Sequence, residues 1–595
     1  MLLCEFYEGK NFVMLKKLKY ILTTKEKVYL LYLLILVIIG SIAELLGVSV
    51  FMPFIGIITD TNKIFENYWM NLIFYSLRFE STSNFLAACA GAIIAIYVFK
   101  NLFLIYEKNT VYKFTYNLQH RLAKKMMYSY MYAPYTFHLS KNVAELTRAL
   151  QIDTDNFAKA IIHFIELIME LFVAVALGVY LFIVSPIITL ITLGVVSLVA
   201  IGYVLVTKEL LKSLGRKNQI NNSNIIKYVN QSMGGIKEIK VLGREDYFIT
   251  LFSDIFKDNG RCMRIIRLSA VLPKYFIEAA SMTGLLTAVI VEIYLGQDNL
   301  SVFIPKLAVF ATAAFRLMPT VGRVNEHVSA LHSNAPSIDL IYEDLKEVEH
   351  TSKQNNLIDP TWKLEKSLII KDICYRYPDA DRNVINNLSM TIQKGQTIAL
   401  IGGSGAGKTT LADVILGVLT PQKGTITADD MDVFDNCRTW EKEIGYIPQM
   451  IYLSDDTIVN NIAFGVASDE IDMGKVVEAS QKAQIYSFIQ SLPDGFETIV
   501  GDRGARLSGG QRQRIGIARA LYHDPEVIVL DDATSALDNE TESAVMEAID
   551  SLHGKKTIVI IAHRLTTIKN ADVVYEIKDG IAVQRDKNEV IKLSE

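Results

Sequence analysis

Six stretches of this 595-residue chain are long, apolar and poor in charge: residues 29–58, 86–107, 160–184, 186–206, 271–296 and 301–321. Each approaches or exceeds the ~20 helical residues needed to cross a bilayer's hydrocarbon core. In lipid, every backbone N–H and C=O must be satisfied within its own segment, which restricts such stretches to helices. The alternative is a water-soluble protein that hides six such helices, and one half of one chain offers little to hide them behind. The sequence therefore predicts an all-α, six-helix transmembrane domain over residues 29–330. A cytoplasmic N-terminal segment (1–28) precedes it, and a linker (331–362) and a second domain (363–595) follow.

Basic residues set the orientation. Lys10, Lys16, Lys17, Lys19, Lys25 and Lys27 precede the first span, and the connections 108–148 and 208–267 hold seven and twelve Lys and Arg. The opposite loops are short or, at 59–85, carry only Lys63 and Arg78. Both termini and the two basic connections are expected in the cytoplasm of a multi-pass plasma (inner) membrane protein. The stretch before the first span has no cleavable-signal pattern, and Met14 reads as a more natural start than Met1. "KIFENYWMNLIFYSLR" (63–78) is apolar at helical spacing, as an interfacial helix on the outer surface or an ordinary packed loop would be. A net charge of −4 gives no reason to expect nucleic acid. Cys4, Cys89, Cys262, Cys374 and Cys437 show no metal-ligand spacing and read as reduced thiols.

Beyond residue 363, short β-rich runs alternate with amphipathic helices, the pattern of an α/β domain. "TIALIGGSGAGKTTLADVIL" runs from strand through glycines into helix. Gly402, Gly403, Ser404, Gly405, Ala406, Gly407, Lys408 and Thr409 fit the phosphate loop, and Thr410 follows in the helix. Backbone N–H groups at a helix N-terminus curl round phosphate oxygens, Lys408 reaches the terminal phosphates and Thr409 ligates Mg²⁺. Asp531, ending the apolar run "VIVLD", is the expected second Mg²⁺ partner.

"LSGGQRQR" (507–514) resembles the signature of ATP-binding-cassette (ABC) ATPases, and further elements fall in the order of that family. The resemblance implies that Tyr377 stacks on adenine and that Gln449 senses Mg²⁺ and the attacking water. Ser508, Gly509, Gly510 and Gln511 would close over ATP held by another subunit. Ser535–Asp538 would contact the dimer partner, and His563 would act as the switch histidine. "TIVGDRG" (498–504) is similar to the cross-domain loop of ABC exporters. One membrane domain fused to one α/β phosphate-loop cassette is the exporter half-transporter arrangement, which implies a dimer with two ATP molecules. Helices near 132–140 and 234–245 would dock on the cassettes. Asp532 departs from the family pattern, which has Glu as the base. One methylene shorter, it implies slowed hydrolysis. A homodimer is the expectation, and a heterodimer with one weak ATP site is the alternative.

The cargo reading rests on cations at membrane depth, which are costly without a partner or a wet cavity. Lys100, Lys274 and Arg316 lie in "YVFK", "LPKYFIE" and "FRLMP", which are similar to pieces of the bacterial lipid-linked oligosaccharide flippase. That resemblance implies a pyrophosphate-bearing, lipid-linked glycan as substrate, although lysine in place of arginine loses the bidentate grip on an oxyanion. The alternative is a multidrug, lipid or peptide exporter whose cations pair internally. Lys274 would then meet Glu278, and Glu44, Glu166 and Glu170 would take the others, Arg323 included.

Overall fold

The computed structural model describes residues 10–295, 320–346, 362–532, 539–562 and 568–594, save a few single positions within them. The chain forms two compact units. One comprises Met1–Met131 with Val143–Glu349, and the other Tyr132–Asn142 with His350–Glu595.

The first unit is helical. After a short leading helix (Lys10–Ile21) come α1 (Thr24–Ser49), α2 (Thr82–Met131), α3 (Thr154–Val184), α4 (Pro186–Gly234) and α5 (Glu245–Leu295). Among the described residues, three helices are long and apolar enough to cross a membrane by length and composition: Thr24–Glu44, Thr82–Met131 and Glu145–Ile183. The expected fourth and fifth spans lie within α4 and α5, and the sixth (301–321) falls almost wholly outside the described residues. Leu33, Leu118, Leu122, Ile165 and Leu177 form the buried seams of α1, α2 and α3. Their outer faces expose Ile35, Ile42, Phe99, Leu102 and Ile183, as helices solvated by lipid tails should.

Pro273 stands inside α5 and has no N–H to give the carbonyl four residues back. That carbonyl, Ser269 O, instead accepts from Tyr203 Oη of α4 at 2.6 Å. Along the same pair of helices, Asp258 accepts from Lys217 at 3.0 Å and from Asn221 at 3.1 Å.

Between α1 and α2, residues 63–78 fold as two short helices, Lys63–Glu66 and Tyr68–Ser76. Asn67 caps the second by accepting from Trp69 N at 3.1 Å. Ile64 and Phe74 are buried with Ile57 and Phe85, whereas Trp69, Leu72, Ile73 and Tyr75 are exposed. The segment is therefore both packed on one side and apolar on the other.

The second unit is α/β. A six-stranded sheet runs in the order β10 (Ile581–Arg585), β9 (Val573–Lys578), β3 (Thr397–Ile401), β8 (Thr557–Ile561), β7 (Val527–Asp531), β6 (Ile444–Ile447). All pairs are parallel except β10 with β9. β7 and β8 are buried at every position, which is why their sequences are unbroken aliphatic runs. A four-stranded antiparallel sheet has the order β2 (Ile385–Gln393), β1 (Ser367–Tyr375), β4 (Lys423–Ala428), β5 (Met431–Asp432). β2 alternates buried with exposed residues, the signature of a sheet covered on one face. Tyr132–Asn142 is grouped with this unit and carries a helix, Tyr135–Ser140. Arg438 sits 5.3 Å from the Tyr132 ring centre. The corresponding helix of the second connection, Ile236–Leu242, belongs to the membrane unit and exposes Val241 and Leu242.

Candidate active site

β3 ends at Ile401, and α6 (Lys408–Ile415) begins seven residues later, so Gly402–Gly407 must turn the chain in a tight loop. Gly402 has φ +145°, and a Cβ there would lie 2.3 Å from Ile577 O, so no other residue fits. The N-cap of α6 is Gly407, which has no side chain to satisfy the first N–H groups. They are left for an anion, with the positive end of the helix behind them. Gly403, Ser404 and Gly405 are exposed on the loop, whereas Ala406 packs against the core.

Lys408 is buried to 5% exposure, and its Nζ donates to Gly402 O at 2.9 Å and Gly403 O at 3.0 Å. Burial pulls its pKa below the usual ammonium value, while Asp532 and Asp531 act in the opposite direction. The loop thus holds its lysine on two neutral carbonyls, with the two carboxylates acting at longer range. Thr409 is exposed, and Thr410 is buried with Oγ1 at 3.2 Å from Tyr377 Oη. The Tyr377 ring meets Tyr375 edge-on at 5.1 Å and packs on the cassette core.

Two acids end β7. Asp531 is buried, and Asp532 turns out of the strand with φ +45°, a left-handed conformation that Asp tolerates better than most residues. Gln449 Nε2 donates to Asp532 Oδ2 at 3.1 Å. Glycines on an uncapped helix, a buried lysine, a hydroxyl and two carboxylates suit a polyphosphate with a divalent cation.

Signature residues open a second helix, α7 (Gly509–Leu521). Ser508 caps it reciprocally with Gln511: Ser508 N donates to Gln511 Oε1 at 2.8 Å, and Gln511 N donates to Ser508 Oγ at 3.3 Å. Ser508 and Gly509 are exposed and Gly510 is buried, so a second helix N-terminus faces outward, ready to meet an anion. His563 and Ser535–Asp538 lie outside the described residues.

One acid was missed. Asp413, on α6, is pushed up to about 6 by burial and secondarily by Asp531. Burial first and then Asp413 raise the Tyr135 phenol, and burial, Asp531 and then Asp413 raise that of Tyr446. The only sequence signal was an acid inside an otherwise apolar helical run, "TTLADVIL".

Among the membrane cations, Lys100 is half-buried, with Nζ 4.5 Å from the Tyr97 ring centre and against Gly47, whose carbonyl accepts from Tyr97 Oη at 2.9 Å. Lys274 follows Pro273 on α5, is exposed, and forms no ion pair with Glu278 among the described residues. Arg323 pairs with Glu170, its Nη2 at 3.1 Å from Oε2, and Lys108 pairs with Glu166. Arg316 lies outside the described residues.

Comparison with known proteins agrees with this architecture. The family model described as "ABC transporter transmembrane region" matches residues 30–302, and that described as "ABC transporter" matches 385–535. An ATP-dependent lipid A-core flippase of Saccharophagus degradans is 30% identical over 479 residues, 80% of each chain. Its counterpart from Cupriavidus metallidurans is 30% identical over 480 residues, 79% of each. The structure of a bacterial Atm1-family ABC exporter with ATP bound shares the fold, with a TM-score of 0.71 at 21% identity over 96% of both chains. The chain belongs to the ABC transporter family: it is a multi-pass membrane protein of exporter fold that binds ATP and couples its hydrolysis to transport.

Proposed function

We propose that two copies of this chain form a homodimeric exporter of the plasma (inner) membrane that flips a lipid-linked, pyrophosphate-bearing glycan, with both termini and the cassettes in the cytoplasm. The placement of Gln449 on Asp532, beside the buried Lys408, carries the nucleotide half of this reading. Gly402–Gly407 and Lys408 hold the phosphates and Tyr377 the adenine. Thr409, Gln449 and Asp531 would hold a Mg²⁺ ion, which would supply charge screening for the phosphates. Asp532 orients and deprotonates the attacking water with help from Gln449, and His563 would serve as the switch histidine. Ser508 to Gln511 complete the site of the other copy, which the exposure of Ser508 and Gly509 at the N-terminus of α7 supports. The helices Tyr135–Ser140 and Ile236–Leu242 carry cassette closure to the spans.

Relatives that are named for flipping lipid A-core support a lipid cargo. Lys100 supports an anionic head group: a cation within an apolar span, it lies beside the Tyr97 ring and Gly47. Lys274 and Arg316 would join it, whereas Arg323 is engaged by Glu170. The apolar outer face of residues 68–76 would rest in the lipid interface on the far side. The test is ATP turnover in nanodiscs with added polyprenyl-pyrophosphate lipids. Stimulation that falls at least fivefold in Lys100→Ala or Lys274→Ala is expected. Stimulation that survives Lys274→Ala and Arg316→Ala would contradict the pyrophosphate site and favour a general lipid or multidrug exporter.

A further inference from the structure

Inside the membrane unit, two histidines and a glutamate from distant parts of the chain converge. His163 and Glu166 stand three apart on α3, one turn of helix, and so share a face. His327 comes from the helical residues near 322–346 and is buried. His163 Nδ1 and His327 Nδ1 are 3.0 Å apart, and Glu166 Oε2 lies 3.7 Å from His327 Nδ1. The three ligand atoms all lie within 4.8 Å of one another.

We propose that His163, Glu166 and His327 form a binding site for a divalent transition cation of the Zn²⁺ class. A tetrahedral ion with bonds of about 2.0–2.1 Å sets its ligand atoms roughly 3.3 Å apart, and the two closest separations here bracket that value. Two imidazoles with a carboxylate are a donor set of borderline softness that suits Zn²⁺ and disfavours Ca²⁺ or Mg²⁺. Without the ion, one imidazole N–H must sit between the two Nδ1 atoms. Binding through both Nδ1 atoms displaces that proton, which that ring then carries on Nε2 as a neutral imidazole.

The surroundings hold the ligands in place. Lys108 engages Glu166 through Oε1, which leaves Oε2 turned to His327. Arg323 engages both oxygens of Glu170, four residues further along α3, so that acid does not compete for the imidazoles. Such outer partners fix ligand orientation in metal sites. Lys108 opposes a dication electrostatically, but its charge is engaged by Glu166, and the buried Glu107 lies within range of both. Three ligands leave the fourth tetrahedral position open to water. The ion would tie α3 to a helix 164 residues away, between His163 and His327.

The test uses the full-length protein, purified without a polyhistidine tag in nanodiscs. Calorimetric titration with ZnCl₂ is expected to show one equivalent per chain. His163→Gln and His327→Gln, which keep a hydrogen-bonding side chain, are expected to weaken it at least about a hundredfold, while His120→Gln, at an exposed position, leaves it unchanged. Cobalt(II) absorption reads the unaltered protein: intense tetrahedral visible bands are expected. Zinc that binds with full affinity in the two glutamine variants, only weak octahedral cobalt bands, or no stoichiometric zinc at all would overturn the proposal and leave a hydrogen-bonded histidine pair.

Discussion

Gln449 donates its side-chain amide to Asp532 at 3.1 Å, and the sheet dictates that meeting. β6 and β7 are parallel neighbours with Ile447 opposite Leu530, and each residue of the hydrogen-bonded pair stands two positions beyond that register. The left-handed turn at Asp532 (φ +45°) then swings the carboxylate toward Gln449. Asp532→Asn is expected to cut ATP turnover by two to three orders of magnitude, as loss of a general base does. Gln449→Ala is expected to cost about tenfold, and Asp532→Glu to raise turnover several-fold. Steady-state phosphate release at saturating Mg·ATP measures all three, and an Asp532→Asn rate equal to the unaltered protein would remove Asp532 from the chemistry.

Tyr203 and Pro273 are coupled through one carbonyl. Tyr203→Phe leaves Ser269 O without its donor and is expected to destabilise the membrane unit by about 1–2 kcal/mol. Adding Pro273→Ala supplies the missing helical N–H, so the double variant is expected to recover most of the loss. Thermal unfolding midpoints of the four proteins give the coupling. Additive effects would show that the hydrogen bond carries no weight.

Asp413 gives a pH dependence. Its carboxyl is raised from 3.8 to about 6 by burial and by Asp531. A raised acid favours the folded state when protonated. Its contribution is full below the unfolded pKa and is lost as pH rises through about 6. Asp413→Asn should therefore change little near pH 3.5 and become progressively stabilising up to pH 7, by on the order of 1–3 kcal/mol. Nucleotide-free thermal midpoints between pH 4 and 8 test the slope, and parallel curves for the two proteins would contradict it.

Gly402→Ala is a steric test of the phosphate loop. The added methyl would collide with Ile577 O on β9, so the loop must shift where φ already disfavours alanine. ATP binding is expected to weaken at least tenfold in fluorescent-nucleotide titrations. Gly403→Ala, which meets nothing within 4 Å, should cost far less.

Local signals made much of this readable in the sequence. The buried strands β3 and β7 announced themselves as aliphatic runs, and the glycine loop with Lys408 fixed the strand-to-helix turn. The tertiary relationships were not readable. Gln449 and Asp532 are 83 positions apart, and only the β6–β7 register joins them. Nothing in "LSAVLPKY" says that Tyr203 relieves Pro273. Burial of Asp413 comes from the elements folded over α6. Glu166 and Glu170, acids inside an apolar run, do engage cations, namely Lys108 and Arg323. His163 and His327 stand 164 positions apart, which leaves no spacing to read.

The central claim is that this chain alone turns over ATP as a homodimer. It is tested most directly by Mg·ATP hydrolysis of the purified chain in lipid nanodiscs, with Lys408→Ala as the blank. The account predicts steady turnover well above the blank, with Asp532 as a slow but working base. Turnover no higher than Lys408→Ala, restored by Asp532→Glu or by a second, different chain, would contradict it.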